Sequence, residues 1–232
     1  MDSSPPHSQK LTYLSDIRTI KTSAHSGGPD ADEVHVTFGT KLVNSARRAI
    51  SFDRISYYGK YLSCFSPLGF LDVVEGIETG PVETLCFYHY PVHTSHSLSR
   101  VTLKYIPRRL RKFQNLKTLI LVDCDVTLCL QGLSSCPTID TLVVHSVHLT
   151  GPSHVGVVCR VEEFAVSRKR AGYPLRALTL VFPFVQPCPL ELERLMSYVG
   201  RVEILGGGNA ACWDVDEYLL SAATHESSAG GL

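Results

Sequence analysis

The chain has 232 residues, 44% of them hydrophobic and 19% charged, which is enough for one sizeable core. Lys plus Arg is 22 and Asp plus Glu is 22, so no net charge draws the chain to nucleic acid or to an anionic membrane. No apolar run approaches the ~20 residues of a membrane span. MDSSPPHSQK lacks the basic and apolar regions of a secretory signal. The eight cysteines include no Cys-x-x-Cys pair, which suits reduced, packed thiols and a cytoplasmic or nuclear location.

In chain order, residues 1–10 read as a disordered tail of Ser, Pro and polar residues. Residues 11–81 form an irregular N-terminal segment expected to pack on the first repeats. It holds a strand near Ile17 to Ile20, a loop from Ser23 to Asp32, and a strand where Val34, Val36 and Phe38 alternate with polar residues. Lys41 to Cys64 is ambiguous between a helix over Leu42 to Ile50 and a return strand near Ala49 to Tyr57. Ser66-Pro67 opens a helix that Gly80-Pro81 stops.

From residue 82 to 205 one pattern recurs, an apolar residue, two others, then two apolar residues alternating with one more. Its clearest copy is Leu116-x-x-Leu119-x-Leu121-x-x-Cys124-x-Val126. The others begin at Val82, Leu98, Ile139, Val161, Leu175 and Val199, with an early candidate at Ala31-x-x-Val34-x-Val36. Each copy reads as a short strand with one face turned into a core, and Cys124 falls where a small side chain holds the bend out of the strand. This is the spacing of a leucine-rich repeat, a unit that needs neighbours to bury its face. The starts lie about 14 to 24 residues apart, against about 20 to 29 in regular arrays. The expected fold is therefore α/β, an irregular leucine-rich-repeat solenoid with parallel strands and short convex helices. Those helices are expected at Pro107 to Phe113, Leu128 to Ser135 and Pro189 to Tyr198, the last with Leu192, Leu195 and Met196 on one face. Residues 206–223 read as a linker and a capping helix from Asp214, and 224–232 as a disordered tail.

The unit Leu133-Ser-Ser-Cys136-Pro137-Thr-Ile139-Asp-Thr-Leu142 resembles the repeats of F-box/leucine-rich-repeat proteins, above all those of basidiomycete fungi. LRALTLVFPFV and PLELERLMSYVGRVEIL look like late repeats of the same family. The resemblance covers roughly Val82 to Leu205 and implies capture of a protein substrate for a cullin-type ubiquitin ligase. Nothing in Met1 to Cys64 resembles the F-box itself, so only the repeat half carries over. The ligase adaptor is an expected partner only if an F-box lies upstream.

The sequence points to a non-enzymatic protein-binding module, with no cofactor, catalytic residue or metal site. The rivals are an α/β enzyme and a truncated receptor without ligase coupling. A doubly wound enzyme needs a helix of about ten or more residues in each crossover, and the interval from Val166 to Leu175 is too short for one. Gly206-x-Gly208-x-x-Ala211 has the letters of a dinucleotide fingerprint but no following strand with an acidic residue. His89, His93, His96, His145 and His148 lack the partners of a zinc site. Partner contact is expected on the outward positions of the strands: Tyr88, Lys104, Ile120, Val122, Val143, His145 and Val181. A basic patch at Arg108, Arg109, Arg111 and Lys112 could meet an acidic partner, and Arg168-Lys169-Arg170 is a second basic run. Ile120, Val122, Val143 and Val181 make an apolar stripe too continuous to stay wet, so it should be covered by a partner or by the chain's own terminal segments.

Overall fold

The computed structural model describes residues 17–26, 32–40, 80–88, 113–124, 126–130, 133, 136–146, 153–184, 188–206, 213, 214, 217 and 218. These hold strands β1 (Ile17–Ser26), β2 (Asp32–Thr40), β3 (Thr84–Tyr88), β4 (Thr118–Val122), β5 (Thr141–His145), β6 (Ala177–Phe182) and β7 (Arg201–Gly206). The helices are α1 (Val126–Leu130), α2 (Ser153–Arg170) and α3 (Pro189–Met196). The fold is α/β. One sheet runs in the order β2-β1-β3-β4-β5-β6-β7, with six strands parallel and β2 antiparallel to β1. The hairpin makes β1, rather than the copy at Ala31, the strand that continues the parallel ladder.

β4 (TLILV) and β6 (ALTLVF) form where β-branched and leucine side chains alternate. The register keeps equivalent positions level across the sheet: Ile20, Leu85, Leu119, Leu142, Leu178 and Val202 lie in one row. The row two residues on holds Phe87, Leu121, Val144, Leu180 and Ile204. Both rows point into the main core with Val126, Cys129, Leu130, Val158, Val161, Phe164 and Leu195 from the three helices. The leading residues of the pattern, Val82, Leu116, Ile139, Leu175 and Val199, are buried in the same core.

A backbone motif joins successive strands at their N-terminal ends. The Glu83 carbonyl accepts from the N–H groups of Lys117 and Thr118, at 2.8 and 3.0 Å. The Lys117 carbonyl does the same for Asp140 and Thr141, and the Asp140 carbonyl for Arg176 and Ala177. At β7 the motif shifts: Gly200 donates to Leu175 and Arg201 to Arg176. A Cβ on Gly200 would stand 2.9 Å from the Arg176 carbonyl oxygen, so the close approach requires glycine there.

Helix α2 corrects two expectations. Val161-x-x-Phe164-x-Val166 is not a strand; it lies inside this 18-residue helix. Val158, Val161, Ala165 and Arg168 recur at helical spacing and are buried, while Arg160, Glu163, Ser167 and Lys169 face out. Gly172, at φ 85°, ends the helix, with Tyr173 N–H bonding the Arg168 carbonyl and Gly172 N–H that of Lys169. The β5–β6 crossover therefore does contain a long helix, and interval length does not exclude a doubly wound sheet.

Smaller departures have equally local causes. α1 covers Val126–Leu130 rather than 128–135, and Leu133 and Cys136 continue as turns bonded to Leu130 and Leu133. α3 has Pro189 in its first turn, and the Glu191 carboxylate accepts from the Cys188 N–H at 3.1 Å. Leu195 is buried, but Met196 is exposed rather than sharing its face. The Ser66 helix, the copy at Leu98, residues 107–112 of the basic helix, Lys41 to Cys64, both tails and residues 207–212 lie outside the described residues.

Among the described residues, Arg168 is the largest fully buried side chain. Its guanidinium donates to the carbonyls of Leu133 (3.3 Å), Cys136 (2.5 Å) and Ile139, and lies 5.6 Å from the Phe164 ring. Burial pulls its pKa below the ordinary arginine value, partly offset by Cys136 and Asp140. The fork geometry lets one side chain satisfy three carbonyls of the turn leading into β5. The first member of the second basic run is thus a clamp between α2 and the Cys136-Pro137 turn. Lys169 and Arg170 remain exposed, with Lys169 bonded to the Ser197 carbonyl at 2.8 Å.

Candidate functional site

The face of the sheet away from the helices carries the other half of each alternation. One row runs Lys21, Cys86, Ile120, Val143, Thr179 and Glu203 from β1 to β7. The next runs Tyr88, Val122, His145, Val181 and Leu205. The middle of this surface is apolar and its two ends carry opposite charges. Cys86, Ile120, Val122 and Val143 form a second buried cluster, separate from the main core.

That cluster is roofed by aromatic side chains. Tyr88, Trp213 and Tyr218 pack against it. The Trp213 ring lies 4.7 Å from the His145 ring at 31° and 5.8 Å from the Tyr218 ring at 39°. Lys21 Nζ sits 4.9 Å from the centre of the Tyr88 ring, a cation–π contact at the β1 side. Burial raises the Tyr218 pKa above its usual 10.0, and the nearby Glu203 carboxylate adds to the shift.

The roof is held by local chemistry. Asp214 caps a helical turn: its carboxylate accepts from the Glu217 N–H at 3.0 Å, and its carbonyl from the Tyr218 N–H at 3.0 Å. Trp213 then stands just before the cap and Tyr218 four positions after it. Contact between those two positions is a hydrophobic staple, which fixes the angle at which the chain enters the helix. Asp214-x-x-Glu217 also has the residue types of a capping box.

Beyond β4 the chain is pinned by Cys124, at the place the repeat spacing assigns to a bend. Its thiol points at the carbonyls of Phe87 (3.3 Å) and Val122 (3.2 Å). Asp123, at φ 50°, keeps its N–H on the His145 carbonyl at 2.9 Å.

The structure brings most of the expected partner residues together. Ile120, Val122, Val143 and Val181 are adjacent and at most 2% exposed, and His145 is 7% exposed. Tyr88 is half-buried at their margin. Trp213 and Tyr218, from the chain's own C-terminal part, pack on the cluster of Cys86, Ile120, Val122 and Val143, and Val181 is buried next to it on β6. A partner reaches these strands only if that cover moves. Lys104, Arg108, Arg109, Arg111 and Lys112 lie outside the described residues. The copy beginning at Val161 lies in α2 and so adds no strand to this face.

Among the described residues, no three His, Cys, Asp or Glu side chains come together as metal ligands, and no helix is long and apolar enough to cross a membrane. Comparison with family models, curated proteins and solved structures found no match.

Proposed function

We propose that this chain is a non-enzymatic protein-binding module of the leucine-rich-repeat type, resembling the substrate-recognition half of an F-box receptor. The observation that carries the reading is the strand order. From β1 through β3 to β7 each parallel strand is laid beside its predecessor without reversal. A doubly wound enzyme reverses its strand order and binds its ligand in the crevice that results; helices cover both faces of such a sheet. Here the three described helices share one core, and the opposite face carries a separate apolar cluster under Trp213 and Tyr218. The recurring carbonyl motif and the Cys124 pin support a stacked-unit architecture, in which each unit contacts its neighbours and the strand face does the binding.

Partner profiling by proximity labelling, with the wild-type chain beside a Tyr88→Ala, Lys104→Ala, His145→Ala variant, tests the reading. The triple variant should lose specific partners that an Arg160→Ala control on the exposed side of α2 keeps. A triple variant that retains every wild-type partner excludes the strand face as the binding surface. Recovery of a ligase adaptor is expected only from a longer chain bearing an F-box upstream of Met1.

A further inference from the structure

The segment roofing the strand face is built like a ligand. Its helical turn is fixed by its own cap and staple, and it offers two aromatic rings to an apolar floor. Large aromatic anchors preset on a helix are what grooves of this kind recognise, because little ordering entropy remains to be lost on docking. The floor is apolar at Cys86, Ile120, Val122 and Val143, with the His145 ring as a stacking partner. Trp213 meets that floor through ring stacking and apolar packing, which a segment from another chain can reproduce.

We propose that the strand face is a docking groove for a helical segment bearing two aromatic residues five positions apart, and that Trp213 to Tyr218 is its resident occupant, which a partner of the same chemistry displaces. This rests on reading the strand face as the binding surface. It adds the chemistry of the partner and the self-occlusion of the site. Opening costs the contacts of the resident segment, those of its two rings among them, and the partner's rings restore the latter, so affinity depends on how firmly the resident segment is held.

The chain's single tryptophan is Trp213, so its fluorescence reports the roof without labelling. The probe for docking is a fluorescein-labelled synthetic peptide of residues 211–223 of this chain. Its binding is read by anisotropy against three full-length proteins: wild type, Trp213→Ala/Tyr218→Ala, and Asp214→Ala. The first variant vacates the groove, and the second leaves every ring in place but removes the cap. Both should bind the peptide at least tenfold more tightly than wild type, and Ile120→Lys added to either should abolish binding. Asp214→Ala should also make Trp213 more open to acrylamide quenching. If the double variant fails to fold by circular dichroism, Asp214→Ala alone decides the matter. Equal binding to all proteins, or none to the folded variants, overturns the proposal. If the peptide fails while the Tyr88/Lys104/His145 variant still loses partners, the face stands and only its self-occlusion falls. If the peptide docks but no partner is lost, the groove is real and its role as the partner surface is wrong.

Discussion

Leu121 and Ile120 are neighbours on β4, and both are fully buried. Leu121 points into a core shared with the three described helices and clamped by Arg168. Ile120 points the other way, into a four-residue cluster roofed by rings from a short segment. The helix face is closed by helices of up to 18 residues and by a buried guanidinium that donates to three carbonyls. The strand face is roofed by Trp213 and Tyr218 beside one described helical turn, with ring stacking and apolar packing among their contacts. Two surfaces can be equally dry and differ in how readily they open, because the cost of opening is set by what must move, not by the exposure of what lies beneath.

The difference can be broken or sharpened by mutation. The largest effect is expected from Arg168→Met, which keeps an apolar stem but removes donors from three buried carbonyls; it should lower unfolding free energy by about 3–5 kcal/mol in urea titration. Arg168→Lys should recover little, because one ammonium cannot reproduce the fork. Next come the two β4 truncations. Leu121→Ala should cost about 3–4 kcal/mol and Ile120→Ala only about 2, because the ring roof can settle into the gap where helices cannot. Equal losses would mean that both faces are equally rigid. Gly200→Ala forces the Arg176 carbonyl away and should cost about 2 kcal/mol, read as a lower melting temperature.

A smaller and more selective effect is expected from alkaline pH. Tyr218 has its pKa raised in the fold, so the folded chain holds that proton longer than the unfolded one. Its contribution is intact below the unfolded value near 10.0 and is lost as pH climbs through the higher folded value. Trp213 emission should therefore shift red above about pH 10 while far-ultraviolet circular dichroism holds, unless Tyr218 is replaced by Phe. The smallest change, Lys117→Glu, touches neither face. It sets like charges beside Glu83 and should cost about 0.5–1 kcal/mol, partly recovered in high salt.

How far the sequence could be read depended on which period an apolar run carried. The strands at Leu85, Leu119, Leu142, Leu178 and Val202 were legible because their alternation fits only a strand facing a core. Val161-x-x-Phe164-x-Val166 has the same letters, but Val161 and Phe164 also fit a helix turn, and the run continues helically to Arg168. The strand pattern alone could not see that context. Arg168 looked like part of a solvated basic run because charge patterning says nothing about which member points inward. The covered stripe was legible as a physical conflict, exposed-looking positions bearing β-branched side chains. Its roof was not identified, although Trp213-Asp214-x-x-Glu217-Tyr218 carries the staple and box spacing in plain letters.

The side chains at the joining carbonyls are Glu83, Lys117, Asp140 and Arg176, alternating in sign from β3 to β6. Lys117 pairs with Glu83 and Arg176 with Asp140, each at 3.5 Å. Long and short intervals alternate with them, as the positions of Leu85, Leu119, Leu142, Leu178 and Val202 show. The sheet therefore has a parity. Excising the single unit that begins at Lys117 would bring two carboxylates together, whereas excising two in succession preserves both the charge order and the rhythm of the crossovers. From β3 to β6 the charge order, and from β3 to β7 the spacing, therefore recur every second strand rather than every strand.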